Sequence, residues 1–133
     1  MNGSDLDKTH FEIQEDIKVE GDAMLLKIAL ENLIMNALKF SADQEKPEIK
    51  IGAEKHNNTS VVYDKDNGVG FDMSFKDKLF KPFQRLHKEE EFSGYGIGLA
   101  TVFRIIERHG GRIWADSILH KGTTVYFELP GKT

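Results

Sequence analysis

Residues 31–40 read ENLIMNALKF, and this stretch decides how the rest of the chain is interpreted. If it belongs to a helix that begins near Asp22, an apolar stripe gathers on one side and faces a core: Leu26, Leu30, Leu33, Ile34 and Ala37. Asn32, Asn36 and Lys39 fall on one line, roughly opposite the centre of that stripe. The stretch therefore predicts a helix with an apolar face and an unusual polar face.

The polar face needs a physical reason, because asparagine is a mediocre helix former whose amide competes with backbone hydrogen bonds. One reason is a polar cavity. An amide oxygen is a hard, neutral ligand suited to Mg²⁺, and a lysine is a point charge suited to phosphate. The alternative is a solvated helix face that carries two amides, and the segment alone leaves both interpretations open.

The composition indicates one globular domain. The chain has 133 residues, of which 39% are hydrophobic and 30% charged, and it has no cysteine. Its net charge of −4 argues against binding of nucleic acid through bulk electrostatics. No apolar run reaches the ~18 residues of a membrane span, so we expect no membrane contact, and the lack of cysteine suits the cytoplasm. We assign residues 1–8 to a tail or cloning remnant and residues 9–133 to the domain, as part of a larger protein that is membrane-anchored or soluble.

Hydrophobic periodicity and turn residues predict an alternation of strands and helices. Asp22 is a candidate N-cap for the long helix, which should end near Ser41. The other predicted elements are an edge strand from Thr9 to Val19 with a kink near Glu15, a strand around Ile49 and Ile51, a strand from Thr59 to Lys65, a helix from Ile97 to about His109, and strands at Arg112–Ala115 and Thr123–Leu129.

Two glycine-rich stretches suggest ligand contacts. Residues 66–71 read DNGVGF directly after a strand, where the glycines allow a sharp turn and leave room for a flat or phosphorylated ligand; an ordinary β-turn is the alternative. Residues 94–100 read GYGIGLA and open onto a helix, whose free N–H groups suit phosphate. Residues 72–95 between them are charged and aromatic, with a short predicted helix around Phe75 to Phe80, and are interpreted as a lid.

Five motifs in order resemble the ATP-binding catalytic domain of sensor histidine kinases, in the superfamily shared with gyrase, Hsp90-type chaperones and MutL-type mismatch-repair proteins. They are the asparagine helix, DNGVGF at 66–71, FxxFxR at 80–85, GxGIGLA at 94–100 and GTTVYFxLP at 122–130. The resemblance runs from about Phe11 to Pro130, and residues 83–87 and 108–114 look most like the phytochrome-type branch. It implies the Bergerat fold, an α/β two-layer sandwich with a mixed β-sheet, helices on one face, and ATP held between a helix and a flexible lid.

The resemblance also implies roles for residues around the phosphates. Asn36 matches the family's Mg²⁺ ligand, Asn32 a second polar contact, and Lys39 a lysine that contacts phosphate. Arg85 matches a lid arginine that meets the γ-phosphate. The glycines that match the phosphate cradle are Gly94, Gly96 and Gly98, with Leu99 following in the same motif.

Other matching residues surround the base. Asp66 matches the aspartate that accepts a hydrogen bond from the adenine amino group, and Phe40 matches an aromatic residue that lies against the nucleotide. Gly68 and Gly70 would give the base close access. Either Thr123 or Thr124 would support the aspartate through water.

Two residues depart from the family's pattern. Asp64 stands where an apolar residue is usual, and strand alternation points it inward with Asp66. Because an unpaired buried carboxylate is costly, we expect Asp64 to pair with a lysine or with the N-terminal strand, or the strand to be irregular there. Tyr95 fills a position that is often small and polar, where it would crowd or cover the nucleotide.

The expected activity is transfer of the γ-phosphate of Mg²⁺-ATP to a histidine on a separate dimerisation and phosphoacceptor domain, with a response regulator downstream. A neutral histidine is already nucleophilic, so no strong base is needed. In the superfamily's ATP hydrolases a water-activating glutamate stands where this chain has Asn32, so hydrolysis fits poorly; a degenerate nucleotide-sensing or docking module is another alternative. We expect a monomer, Trp114 in the core, and His87 and His109 as surface or capping residues.

Overall fold

A computed structural model describes residues 8–56, 59–70, 72–73 and 95–130. The predicted lid helix, Arg85, His87 and Gly94 lie outside these residues. Seven elements are present in the described part: β1 (His10–Ile13), α1 (Ala23–Ser41), β2 (Glu48–His56), β3 (Thr59–Asp66), α2 (Tyr95–Arg108), β4 (Arg112–Ile118) and β5 (Gly122–Glu128).

The strands form one mixed sheet in the order β1-β2-β3-β5-β4. Strand β1 pairs parallel to β2, and the other three pairings are antiparallel. This arrangement confirms the predicted α/β fold with a mixed sheet. Strand β1 is shorter than predicted because the chain turns at Asp16, whose φ of 60° takes it out of an extended conformation.

Helix α1 has the predicted bounds. The side chain of Asp22 accepts a hydrogen bond from the backbone N–H of Leu25 at 2.9 Å, as expected of an N-cap. At the other end, the backbone N–H of Ala42 donates a hydrogen bond to the carbonyl oxygen of Lys39, and the turn that was predicted after Ser41 follows. The cap and the turn explain why the helix spans these residues.

Both helices cover the same face of the sheet. Leu33 of α1 and Val102 and Ile106 of α2 pack with Phe127 of β5 in one cluster of buried side chains. All four are at most 2% exposed. A smaller cluster joins the end of α1 to β2 and contains Ala37, Leu38, Ile49 and Ile51.

The opposite face of the sheet is open in the described part of the chain. Trp114 lies on this face and is half-buried. The expectation that it belongs to the core is therefore corrected. Its ring stacks on that of Tyr126, with 5.4 Å between ring centroids and 10° between planes. Trp114 alternates with the buried Ala115, so its position in the strand places it on the uncovered side.

Helix α2 begins at Tyr95, two residues earlier than predicted. Gly96 and Gly98 therefore lie in its first turn and not in a loop before it. The first four N–H groups of a helix have no partner within the helix. The backbone of these glycines is thus part of a helix N-terminus, as the anion-site interpretation requires.

Candidate nucleotide-binding site

Two hydrogen bonds to the helix backbone orient the asparagines of α1. The amide nitrogen of Asn36 donates to the carbonyl oxygen of Asn32 at 2.8 Å, and that of Asn32 donates to the carbonyl oxygen of Ile28 at 3.0 Å. Each bond uses the nitrogen and leaves the amide oxygen as the atom available to a ligand. Asn36 is 7% exposed, Asn32 is half-buried and Lys39 is exposed. The polar line that these three side chains form on α1 therefore extends from the cleft to its solvent-exposed rim.

A narrow cleft separates the C-terminal half of α1 from the sheet. Its lining combines apolar side chains with Asn36 and two carboxyl groups: Leu33, Asn36, Ala37, Phe40, Asp64, Asp66, Leu99, Thr123 and Val125. The enclosed space inside it holds about one water molecule, and the empty space is about 290 Å³ when the part that opens to solvent is included. Asn36, Phe40, Asp66, Leu99 and Thr123, all predicted site residues, are therefore brought together.

Asp66 lies at the end of β3 on the floor of this cleft. The residue is 6% exposed, and one carboxylate oxygen accepts the backbone N–H of Gly68 at 2.8 Å. Burial raises the pKa of Asp66 to about 7, while hydrogen bonds from the backbone of Gly68 and Thr123 act in the opposite direction. The carboxyl group is thus held in a fixed orientation, and its pKa lies near neutral pH.

The turn after Asp66 is packed directly against the end of α1. The backbone N–H of Val69 donates to the carbonyl oxygen of Phe40 at 3.1 Å, and a Cβ at position 68 would collide with that oxygen. Gly70 has a φ of 67°, in the left-handed region that favours glycine. Backbone packing alone therefore requires both glycines, and their predicted role in giving a base close access stays a prediction.

His109 ties the other ends of the two helices together. Its ring atom Nε2 accepts the backbone N–H of Asp22 at 2.9 Å, and Nδ1 donates to the carbonyl oxygen of Ile105 at 2.7 Å. The C-terminal end of α2 is thus fixed to the N-terminal end of α1. Because this contact joins opposite ends, the first turn of α2 lies near the asparagines and Phe40, where Leu99 lines the cleft.

The two candidate threonines lie on opposite faces of β5. Thr123 is 5% exposed and pairs with Asp66 in the ladder, and its hydroxyl is 2.8 Å from that of Ser117. Thr124 shares the open face with Tyr126. Thr123 is placed beside Asp66, whereas strand alternation points the side chain of Thr124 away from the cleft, and the supporting role of either threonine stays a prediction. Ser117 was not predicted as a site residue. The pattern that could have indicated it is a small polar residue opposite Thr123 on a neighbouring strand.

Asp64 is placed as alternation predicts but not paired as expected. It is 5% exposed on the covered face, and β3 is regular there, with Asp64 between Ile51 of β2 and Val125 of β5. Among the described residues, its atom Oδ1 has no hydrogen-bond partner. The expected irregular strand is therefore wrong, and within the described part of the chain the register gives Asp64 apolar neighbours in place of the expected lysine or N-terminal strand.

The mixed sheet thus has helices on one face, and the cleft between sheet and helix brings amide and carboxyl groups together near the start of α2. Residues 21–133 match the model of the family described as histidine kinase-, DNA gyrase B- and HSP90-like ATPases. The chain belongs to this family, and the predicted resemblance is confirmed.

Histidine kinases are among its most similar relatives. Cyanobacterial phytochrome A of Nostoc sp. is 46% identical over 110 residues, which are 83% of this chain and 14% of that protein. Sensor histidine kinase WalK of Bacillus subtilis is 37% identical over 119 residues, 88% of this chain and 20% of that protein. The chain thus spans a small part of these relatives, and the phytochrome-type likeness agrees with the first.

A solved structure shares the fold. The catalytic domain of histidine kinase ThkA superimposes with a TM-score of 0.74 at 31% identity, covering 95% of this chain and 81% of that one. The chain therefore has the fold of a histidine kinase catalytic domain. Neither described helix has the length and hydropathy needed to cross a membrane.

Proposed function

We propose that this domain binds Mg²⁺-ATP in the cleft between α1 and the sheet and donates the γ-phosphate to a histidine on a separate helical domain of a two-component sensor kinase. The observation that carries the proposal is the cleft itself. It places a fixed carboxyl group, Asp66, on the floor of an apolar slot, with Asn36 on the opposing helix. A response regulator would receive the phosphate downstream.

The apolar part of the cleft suits a purine. Phe40, Leu99 and Val125 supply flat and aliphatic surfaces, and Asp66 accepts the hydrogen bond of the exocyclic amine. The carboxylate is preorganised because Gly68 already holds one of its oxygens. A charged hydrogen bond of this kind contributes about 1.5–3 kcal/mol to affinity.

The polar line on α1 and the start of α2 suit the phosphates. Asn36 would offer its amide oxygen to Mg²⁺, which supplies charge neutralisation when bound, and Asn32 would add a second polar contact. Lys39, exposed at the rim, would contact a phosphate oxygen, as would the N–H groups at the N-terminus of α2. Arg85 and Gly94, outside the described residues, keep their proposed roles at the γ-phosphate and in the cradle.

Transfer to a histidine is favoured over hydrolysis because no carboxylate is placed to activate water on α1. Glu31 is exposed, and the next residue is Asn32, whose nitrogen is bound to the helix backbone. In the proposed step the bond from the γ-phosphorus to the bridging oxygen of ADP breaks and a bond to a histidine ring nitrogen forms. The imidazole proton is released to solvent, so the domain needs only to position and neutralise charge.

The test is a phosphotransfer assay. The chain is incubated with γ-labelled ATP and Mg²⁺, alone and with the helical domain of its parent kinase. We expect acid-labile label on the helical domain only, and a monomeric chain that remains unlabelled alone. Label on the chain itself, or phosphate release without the helical domain, would contradict the proposal.

Two variants separate the base contact from the metal contact. Asp66→Asn should weaken both adenosine and Mg²⁺-ATP at least tenfold, because an amide can present its own N–H groups to the adenine amine. Asn36→Ala should weaken Mg²⁺-ATP much more than metal-free adenosine. Calorimetry measures both affinities, and circular dichroism checks the fold. Equal losses for both ligands in Asn36→Ala would show that Asn36 does not serve the metal.

A further inference from the structure

Asn67 is a residue of the DNGVGF motif to which the proposed function gives no role. It follows Asp66, the last residue of β3, and faces Glu48, the first residue of β2. Its amide oxygen accepts the backbone N–H of Glu48 at 2.9 Å, and its amide nitrogen donates to the carbonyl oxygen of Lys46 at 2.9 Å. Both polar atoms of the side chain therefore bind backbone groups of β2 and of the turn before it.

The side chain of Asn67 takes the place of a backbone group in the β2–β3 ladder. A hydrogen-bonded antiparallel pair exchanges two bonds, each from the N–H of one residue to the carbonyl oxygen of the other. The N–H of Asn67 makes the first bond, to the carbonyl oxygen of Glu48 at 3.3 Å. In the second bond, the side-chain oxygen of Asn67 replaces its carbonyl oxygen as the acceptor for Glu48. The backbone is thereby free to leave the ladder directly after Asp66.

This departure from the ladder shapes the turn beside the cleft. The N–H of Gly68 donates to one carboxylate oxygen of Asp66 at 2.8 Å. The N–H of Val69 then donates to the carbonyl oxygen of Phe40, at the end of α1. If the ladder continued through the carbonyl of Asn67, the chain would stay extended and carry the N–H of Gly68 away from the carboxylate. Asn67 thus holds the turn from the side of β2, and Val69 holds it from the side of α1.

We propose that Asn67 is a positioning residue for adenine recognition, which acts through Asp66 and does not contact the nucleotide. Its side chain fixes the turn, the turn presents the N–H of Gly68 to one oxygen of Asp66, and the other oxygen stays in place for the adenine amine. This inference rests on the proposed binding of ATP in the cleft. It adds a residue that lies outside the lining of the cleft and supports the carboxylate from behind.

Gln14 supplies a matched control. It follows β1, on the other side of β2, and its backbone N–H donates to the carbonyl oxygen of Ile51 at 2.9 Å. Its side-chain oxygen accepts the N–H of Ala53 at 3.0 Å. Asn67 and Gln14 therefore make the same kind of bonds to the same strand, but Gln14 belongs neither to the turn after β3 nor to the lining of the cleft.

The test compares stability and adenosine affinity in Asn67→Ala and Gln14→Ala. Each variant should lower the free energy of unfolding in urea, because each leaves one N–H of β2 without its side-chain acceptor. Asn67→Ala should bind adenosine about tenfold more weakly, as expected for one misplaced hydrogen bond, whereas Gln14→Ala should keep the wild-type affinity. Calorimetry measures the affinities at a temperature where circular dichroism shows each variant folded. Wild-type affinity in Asn67→Ala, or equal losses in both variants, would overturn the positioning role.

Conservative variants separate positioning from damage to the fold. Asn67→Asp keeps an oxygen for the N–H of Glu48 and should recover most of the adenosine affinity, although the donor to Lys46 is lost. The added charge would be offset by lysines that line a pocket with Asn67: Lys50, Lys65 and Lys121. Asn67→Gln keeps the amide on a side chain that is longer by one methylene, so it should displace the turn and weaken adenosine binding. It serves as the test if Asn67→Ala does not fold, and unchanged affinity in it would contradict the role.

A double variant tests whether the effect passes through the carboxylate. In the Asp66→Asn background, the further change Asn67→Ala should cause almost no additional loss of Mg²⁺-ATP affinity, because the group that it positions is already altered. If the two losses multiply in full, Asn67 does not act through Asp66 and the inference is overturned.

The outcomes distinguish a failure of this role from a failure of the proposed function. A wild-type chain that binds neither adenosine nor Mg²⁺-ATP would overturn both. In the phosphotransfer assay, Asn67→Ala should raise the KM for ATP about tenfold with kcat almost unchanged, because it alters binding of the base and not the transfer step. A fall in kcat at unchanged KM would contradict the assignment of Asn67 to adenine recognition while leaving phosphotransfer intact as the function.

Discussion

The two faces of the central sheet carry similar polar residues with different consequences. Along β3, Asp64 and Asp66 point to the covered face and Tyr63 and Lys65 point to the open face. Under the helices, burial raises the pKa of both carboxyl groups. On the open face, Arg112 and Glu128 form an ion pair at 3.4 Å in which the arginine side chain is 70% exposed. Burial, and not residue type alone, makes a polar side chain energetically significant here.

The largest effect that would test this comparison is a pH dependence of stability. In the folded chain Asp66 has a pKa near 7, compared with an ordinary value of 3.8, so the folded state holds this proton to higher pH than the unfolded state does. The stabilising contribution of the protonated group is complete below about pH 4 and is lost as pH rises to about 7, by about 2–4 kcal/mol. The free energy of unfolding, measured by urea titration between pH 4 and 8, should show it as the difference between wild type and Asp66→Asn.

An open-face carboxylate provides the matched control for this prediction. Asp116 is exposed on β4, and Asp116→Asn should leave the pH profile of unfolding almost parallel to that of wild type. Asp64→Val should also reduce the wild-type slope, because burial shifts Asp64 in the same direction as Asp66. Parallel profiles for wild type and both covered-face variants would show that the cleft is well hydrated.

The sequence predicted most features of the covered face of the sheet, because the sequence patterns that indicate these features are local or periodic. The bounds of α1 follow from an N-cap and a turn, and alternation along β3 placed Asp64 inward correctly. The predictions that failed depend on the register between neighbouring strands. The register pairs Lys50 of β2 with Lys65 of β3 on the other face, so neither of these lysines is placed to neutralise Asp64. Trp114 was misplaced for a related reason, since hydrophobicity does not indicate which face of a strand is covered.

The tie between the helices was beyond the reach of sequence patterns. His109 meets Asp22 across 87 residues, and no local motif links a histidine at one helix end with the N–H group at the start of another. A capping role was one expected use of His109. Its actual contact can be found only once both helices are packed on the same face.

His109→Ala should produce the second-largest effect, a loss of about 1–3 kcal/mol in the free energy of unfolding. The substitution leaves the N–H of Asp22 without its acceptor and removes the bond to the carbonyl oxygen of Ile105. The substitution would weaken the contact between the two helices that cover this face of the sheet. Urea unfolding measures the loss, with His10→Ala, at an exposed position of β1, as the control expected to change stability little. Equal stabilities of the two variants would mean that this tie does not hold the helices.

The smallest effects should come from the open face, where Arg112 lies 5.1 Å from the centroid of the Trp114 ring and pairs with Glu128. Solvent screens both interactions, so Arg112→Ala should lower the free energy of unfolding by about 1 kcal/mol or less. Glu128→Gln removes only the ion pair and should cost about 0.5 kcal/mol or less, with the difference shrinking at high salt. Neither variant should change ATP affinity in calorimetry. A loss above about 2 kcal/mol for Arg112→Ala would be too large for a solvated surface contact, and it would mean that this face is covered in solution.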